Sequence, residues 1–364
     1  MKLTCDREAL EKALVKAKEA TERKASLPIL SNFLLEAEGD RLTVRATDLE
    51  NYLTLELPAA VLEPGKVCVN SQKLTDIVKG GSCAEVILQL KGETLVVECG
   101  RSRYKLATVD PDEYPEFPSP TEGQKEGSLP GELLLEGIDR TDYAVPKDAE
   151  NLVLNATFVR GKGDEVHFVG TDGHRLALYK PKVEGFDLEV LIPKRGTKVL
   201  KKLVSQLETV KVSRSESFAF LEGEGWKLAV RLLEGEYPDY EAVIPTETPY
   251  AALVPTEEFT KALKRVTLLV EGKVKPVKIA LMENLMKLFV SDPEFGEAED
   301  EVEVEFVGDP IEVEFNARYL LEALDHYDSE RVWFKLVDAD SPALIEAEDP
   351  EREPYLCLIM PMTL

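Results

Sequence analysis

Three stretches of this 364-residue chain repeat one another at intervals of about a third of its length, and a period that long restricts the fold more than any other feature. An extended run ending in a Thr/Ser-Asp pair occurs as Val44-Arg45-Ala46-Thr47-Asp48, Phe168-Val169-Gly170-Thr171-Asp172 and Phe289-Val290-Ser291-Asp292. The aspartates stand 124 and 120 positions apart. Turn dipeptides precede each copy: Gly39-Asp40, Gly163-Asp164 and Glu283-Asn284. A second series, Val69-Asn70-Ser71, Ile192-Pro193-Lys194 and Phe315-Asn316-Ala317, recurs at 123 and 123. There a short apolar strand meets a residue suited to a helix start, Asn as a cap or Pro in the unsatisfied first turn. A third pair, Glu113-Tyr114-Pro115 and Glu236-Tyr237-Pro238, keeps the same spacing of 123.

A unit of about 120 residues is too long for a solenoid repeat, so each third is expected to be a small α+β domain. The first helix shows the helical period, with Leu10, Leu14 and Ala17 on one face and Lys12, Lys16 and Glu19 largely elsewhere. Alternation marks strands in Leu42-Thr43-Val44-Arg45-Ala46, Leu95-Val96-Val97-Glu98-Cys99 and Val302-Glu303-Val304-Glu305-Phe306. Proline-rich linkers at 111–130 and 238–255 place the domains at 1–121, 122–246 and 247–364.

Lys and Arg number 44 against 69 Asp and Glu, a formal charge of -25, while 44% hydrophobic residues suffice for packed cores. No run reaches the roughly 18 apolar residues of a membrane span, and Met1-Lys2-Leu3-Thr4-Cys5 does not open a signal peptide, so a cytoplasmic protein is expected. Five cysteines, never spaced C-x-x-C, read as free thiols in a reducing compartment. Dinucleotide, Walker A, H-E-x-x-H and G-x-S-x-G signatures are all missing, and His167, His174 and His326 are scattered. No catalytic residue, cofactor or metal site is therefore expected.

One segment departs from the acidic background. Lys194, Arg195, Lys198, Lys201 and Lys202 fall within nine residues that contain no acid. On a helix they span an arc of about 120°, nearly opposite Val199, Leu200, Leu203, Val204 and Leu207. Such a face suits non-specific phosphate contact, and it equally suits an ordinary solvated lysine surface. No aromatic residues interleave with the cations, so exposed bases are not the expected target.

The stretch Thr171-Asp172-Gly173-His174-Arg175-Leu176-Ala177, the segment Met360-Pro361-Met362-Thr363-Leu364, Leu27-Pro28-Ile29-Leu30 and Gly100-Arg101-Ser102-Arg103 together resemble the bacterial β sliding clamp, the processivity subunit of DNA polymerase III. The resemblance runs the full length. It implies three similar clamp domains per chain, helices on the inner face of β-sheets, and a head-to-tail homodimer closing into a ring around duplex DNA. Implied partners are the DNA polymerase III catalytic subunit, the clamp loader and other clamp-motif proteins, with no membrane. A mildly basic lining would let DNA slide, and an acidic rim would repel neighbouring DNA. Besides the 194–202 cluster, the lining would include Arg23, Lys24 and Lys264.

The resemblance also implies a hydrophobic partner-peptide pocket at Leu154, Thr171, Gly173, His174, Arg175, Leu176, Pro238, Val243, Leu358, Met360 and Met362. Ala242 and Thr363 stand where arginine is common in the family, which bears on polar contacts to the peptide. Without the resemblance, His174-Arg175 reads as a hairpin turn with a solvated arginine. For the subunit interface, Tyr104 and Leu106 would meet Leu268 and Leu269 of a second copy. Lys73, Arg101 and Arg103 would face Glu297, Glu299 and Glu301, ion pairs that set register more than affinity. Taken bare, Leu268-Leu269 could be core and the acidic run a solvated hairpin. Two other readings remain: a scaffold that binds linear peptides without encircling DNA, and a carboxylate-dependent hydrolase, for which no convergent acids are evident.

Overall fold

The computed structural model describes residues 1–22, 27–121 and 124–362. Six α-helices occur among them, two in each third: α1 Arg7–Ala17, α2 Ser71–Gly80, α3 Gly131–Asp142, α4 Lys194–Leu203, α5 Thr256–Val266 and α6 Ala317–Leu324. Every third runs strand, helix, three strands, one strand, helix, three strands, and the first adds the short strand Ala60–Glu63. Mixed domains with both helices and sheet are thus built three times from one plan.

Local chemistry explains the recurrence. At the first hairpin of each third the backbone must turn left-handed, and Gly39 (φ 62°), Gly163 (φ 66°) and Asn284 (φ 56°) supply it. The aspartate of each Thr/Ser-Asp pair then ties down the next turn. Asp48 Oδ1 accepts from the Glu50 and Asn51 N–H groups, Asp172 Oδ1 from those of His174 and Arg175, and Asp292 Oδ1 from those of Glu294 and Phe295. The second helices begin where the second series places them. Asn70 caps α2 through the Lys73 N–H and Asn316 caps α6 through that of Arg318, while Pro193 precedes α4 without a side-chain bond.

The chain forms two compact units, each drawing on two stretches of sequence. Unit 1 holds Met1–Leu135 and Gly185–Leu233. Its 13-stranded sheet includes the pairing of Trp226–Arg231 with Asn51–Pro58, which joins strands of the first and second thirds. Unit 2 holds Glu136–Glu184 and Glu234–Leu364. There Arg175–Tyr179 pairs with Tyr355–Ile359, so strands of the second and third thirds join in the same manner. A four-stranded sheet in unit 2 runs Gly296–Glu303, Leu285–Asp292, Pro276–Met282, Ile311–Asn316. Helices turn apolar faces inward: Leu10, Leu14 and Ala17 of α1 and Phe259, Ala262 and Leu263 of α5 are buried.

Two expectations need correction. Cys83 and Cys99 form a disulfide, with Cα atoms 5.3 Å apart. Their separation of 16 residues hides this, because only the antiparallel pairing that sets Val86 opposite Cys99 brings the two together. Cys5, Cys68 and Cys357 are free and buried, and burial pushes the Cys5 and Cys68 thiols up to about 12. The second correction concerns α4. The helix stops at Leu203, so Leu207 leaves the apolar stripe and is 99% exposed.

Candidate functional site

In unit 2 the tight turn after Glu165–Thr171 stands beside the end of Tyr355–Ile359. The Thr171 hydroxyl donates to the Arg175 carbonyl at 2.6 Å and accepts from the Gly173 N–H at 3.1 Å, and Gly173 takes φ 85°. Register places Leu176 opposite Leu358, and the Met360 N–H donates to the His174 carbonyl at 2.9 Å. Met362 continues the chain with a bond from its N–H to the Glu314 carbonyl. Thr171, Gly173, His174, Arg175, Leu176, Leu358, Met360 and Met362 are therefore one contiguous patch.

Leu154 lies half-buried in the short 3-10 turn Leu152–Asn155, which feeds the strand Ala156–Lys162. Tyr237 stacks on Phe158 of that strand at 4.7 Å and carries exposed Pro238 with it. Val243 ends the next turn and is 53% exposed, with Ala242 exposed beside it. Thr363 lies outside the described residues. Met360 and Leu152 are also open to solvent, and Leu152 is a candidate the sequence did not single out. It opens the 3-10 turn Leu152–Asn155, two residues before Leu154.

Arg175 behaves differently from a solvated turn residue. It is buried, bonds Glu322, donates to Asp172 Oδ2 at 3.2 Å and to the Tyr143 carbonyl at 2.9 Å, and lies over the rings of Tyr319 and Tyr143. Burial works against its charge, yet Glu322 and Asp172 raise its pKa. The side chain ties the turn to α6 and leaves the apolar surface to its neighbours. Behind it, buried Arg140 bonds Glu136, Asp328, Glu353 and the His326 carbonyl. A cavity of about 600 Å³ beside this network is walled by Glu136, Tyr179, Asp328, Glu348, Asp349 and Arg352, too charged for an apolar ligand.

On α4 the buried set is Gly196, Thr197, Val199, Leu200 and Leu203, and the cations take the remaining surface. Arg195 reaches Asp48 at 2.8 Å, Glu50 at 3.5 Å and Glu22 at 3.9 Å, while Lys198 meets Glu19 at 3.1 Å. Part of the basic arc is thus neutralised within unit 1. Lys201 and Lys202 are exposed, as is Lys264 on α5, and Arg23 and Lys24 lie outside the described residues.

Two of the open strand edges among the described residues carry opposite charge. Ser102–Val109 pairs fully with Thr94–Cys99 but meets Gly65–Asn70 only at Thr108 and Val109. It exposes Arg103 and Tyr104, with Leu106 half-buried and Arg101 in the turn before it; Lys73 is exposed on α2. Gly296–Glu303 pairs only with Leu285–Asp292 and exposes Glu297, Glu299 and Glu301. Leu268 is 82% exposed and Leu269 half-buried, so neither belongs wholly to the core. Open edges of opposite charge are templates for strand addition.

Sequence profiles of the DNA polymerase III beta subunit match its N-terminal domain over residues 1–118, its central domain over 128–239 and its C-terminal domain over 241–363. The chain is 34% identical over 373 residues to the beta sliding clamp of Caulobacter vibrioides and 32% identical over 375 residues to that of Pseudomonas aeruginosa, covering all of each. Among solved structures, a Pseudomonas aeruginosa DNA polymerase sliding clamp superposes with a TM-score of 0.95 at 30% identity. A sliding clamp of that organism bound to griselimycin does so with a TM-score of 0.94 at 31% identity, each covered in full.

Proposed function

Because this chain belongs to the DNA polymerase III beta subunit family, the bacterial beta sliding clamps, we propose that two copies join head to tail into a ring that encircles duplex DNA. Its function is that of the family, a non-catalytic processivity factor that tethers the replicative polymerase. Three modules of one plan, with boundaries near 121 and 246, support the ring. The profile matches also fall in three, over 1–118, 128–239 and 241–363. The open edge at Ser102–Val109, with Arg101, Arg103, Tyr104 and Leu106, would pair with Gly296–Glu303 of a second copy, next to Leu268 and Leu269. Lys73 would add to the positive side.

Lys201, Lys202, Lys194, Lys264 and the partly neutralised Arg195 and Lys198 would face DNA. Weak, sequence-independent contacts of about 10⁻⁴–10⁻⁶ M suit sliding. The polymerase subunit, the clamp loader and other clamp-motif proteins would dock short apolar segments against Leu154, Leu176, Val243, Leu358 and Met360, with Pro238, Gly173 and His174 at the rim. The observation that carries this pocket is the backbone bond between Met360 and His174, which fixes an exposed methionine at the end of the strand pair that sets Leu176 opposite Leu358. Griselimycin, found on a relative, would occupy the same place. A cytoplasmic location follows from this role, and among the described residues no helix is long and apolar enough to cross a membrane.

Loading onto nicked circular DNA with clamp loader and ATP tests the ring. Protein should stay bound in high salt and slip off after linearisation. Equal retention on both forms would refute a topological link.

A further inference from the structure

The turn beside the proposed peptide pocket has a twin in unit 1. The Thr47 hydroxyl accepts from the Leu49 N–H at 2.9 Å as Thr171 does from Gly173, and Asp48 holds its turn as Asp172 does. The Arg231 N–H donates to the Glu50 carbonyl at 2.8 Å, as that of Met360 does to His174. Tyr52 faces Ala229 across the joining strands where Leu176 faces Leu358. The 3-10 turn Pro28–Ser31 stands for Leu152–Asn155, and Tyr114-Pro115 for Tyr237-Pro238. The turn, the strand pairing and the backbone bond that frame the pocket are thus present a second time.

What differs is the filling. Leu49 adopts φ 71° where Gly173 adopts 85°, so a side chain is kept in a conformation that glycine favours. Tyr52, Phe220 and Ala229 make a buried cluster on which Phe117 and Phe218 pack. Phe117 meets Tyr52 edge-on at 5.3 Å, and Phe218 meets it at 5.8 Å. Arg231 then closes over the top: its Nε donates to the Leu49 carbonyl and its guanidinium covers the Phe218 ring at 5.1 Å. Thr47 is fully buried, whereas Thr171 is half-exposed.

We propose that unit 1 carries a second acceptor for apolar linear peptides, sealed by the chain's own Phe117 and Arg231, so that each chain offers one open and one occupied site. Phe117 belongs to the 111–130 linker, and its ring serves as the resident ligand of this copy. Its aromatic ring satisfies the same kind of floor that a partner's apolar side chain would meet in unit 2. The inference rests on reading the unit 2 patch as a peptide pocket.

Calorimetric titration with griselimycin tests it on the full chain. Wild type should take one molecule per chain. The variant Leu49→Gly/Phe117→Ala/Arg231→Met, which gives the sealed copy the open copy's turn and lid, should take two, the second about 10- to 100-fold more weakly. A folded variant with the wild-type count overturns the proposal. If the variant lacks native circular dichroism, Phe117→Ala alone, which removes the occupying ring and keeps Tyr52, Phe218 and Phe220, is titrated instead, and an unchanged count is equally fatal. A wild type that takes none refutes the unit 2 pocket, and the gain between wild type and variant still decides the second site.

Discussion

Replacing Arg175 by methionine keeps the apolar stem and removes the guanidinium. The loss can be built from its contacts. Bonds to the Tyr143 carbonyl and Asp172 contribute about 1 kcal/mol each, and the Tyr319 and Tyr143 rings about 1 more. Glu322 adds little, because its side chain is 38% exposed and water takes over its solvation. Asp172 also keeps the His174 and Arg175 N–H groups, which limits the penalty of stranding it. The total, about 3 kcal/mol, sits at the low end for breaking a buried pair. In a unit of this size that lowers the melting temperature by about 6–12 °C. Scanning calorimetry should show the unit 2 transition falling while unit 1 holds. Peptide affinity, followed with labelled griselimycin, should weaken about tenfold, since the turn loses its tie to α6. A shift below about 2 °C would refute the energetic reading. Lost binding at an unchanged melting temperature would instead make Arg175 a direct contact of the ligand.

Further outcomes are expected elsewhere. Burial pushes the Glu353 carboxyl upward, but bonds from Ser329, the Asp328 N–H and Arg140 outweigh it and hold the group below the usual carboxylate range. Its stabilisation is thus complete above the unfolded value and is lost as pH falls through the depressed one; Glu353→Gln should flatten the fall in melting temperature between about pH 5 and pH 2. Closing a loop between residues 16 apart contributes about 3 kcal/mol, so dithiothreitol should lower the unit 1 transition, and Cys83→Ser/Cys99→Ser should match that shift without reductant. Native protein should resist iodoacetamide at Cys5, Cys68 and Cys357, read by mass spectrometry, because all three are buried. Leu268→Asp places a charge on the most exposed leucine of the proposed subunit contact and should convert a dimer to a monomer on light scattering; an unshifted mass would remove that contact.

Much of this architecture could be read from linear order. The Asp48, Asp172 and Asp292 turns depend on bonds between near neighbours, so their period is written directly in residue types. The same holds for the starts of α2, α4 and α6, and for the apolar stripe of α4 as far as Leu203. Resemblance to a known family then supplied the pocket, whose residues are spread over some 200 positions and carry no local signature.

Tertiary structure decided what depends on partners distant in sequence. Cys83 and Cys99 look like two more thiols until antiparallel pairing sets their strands side by side. Arg175 looks like a solvated turn residue until α6 brings Glu322 and Tyr319 to it. Arg195 and Lys198 look free until Asp48 and Glu19 arrive from the first third. Periodicity reports which way a side chain points, because that is set by the backbone within a few residues. What it meets there is set by strand register and helix packing, and those come from burying apolar surface across the whole unit.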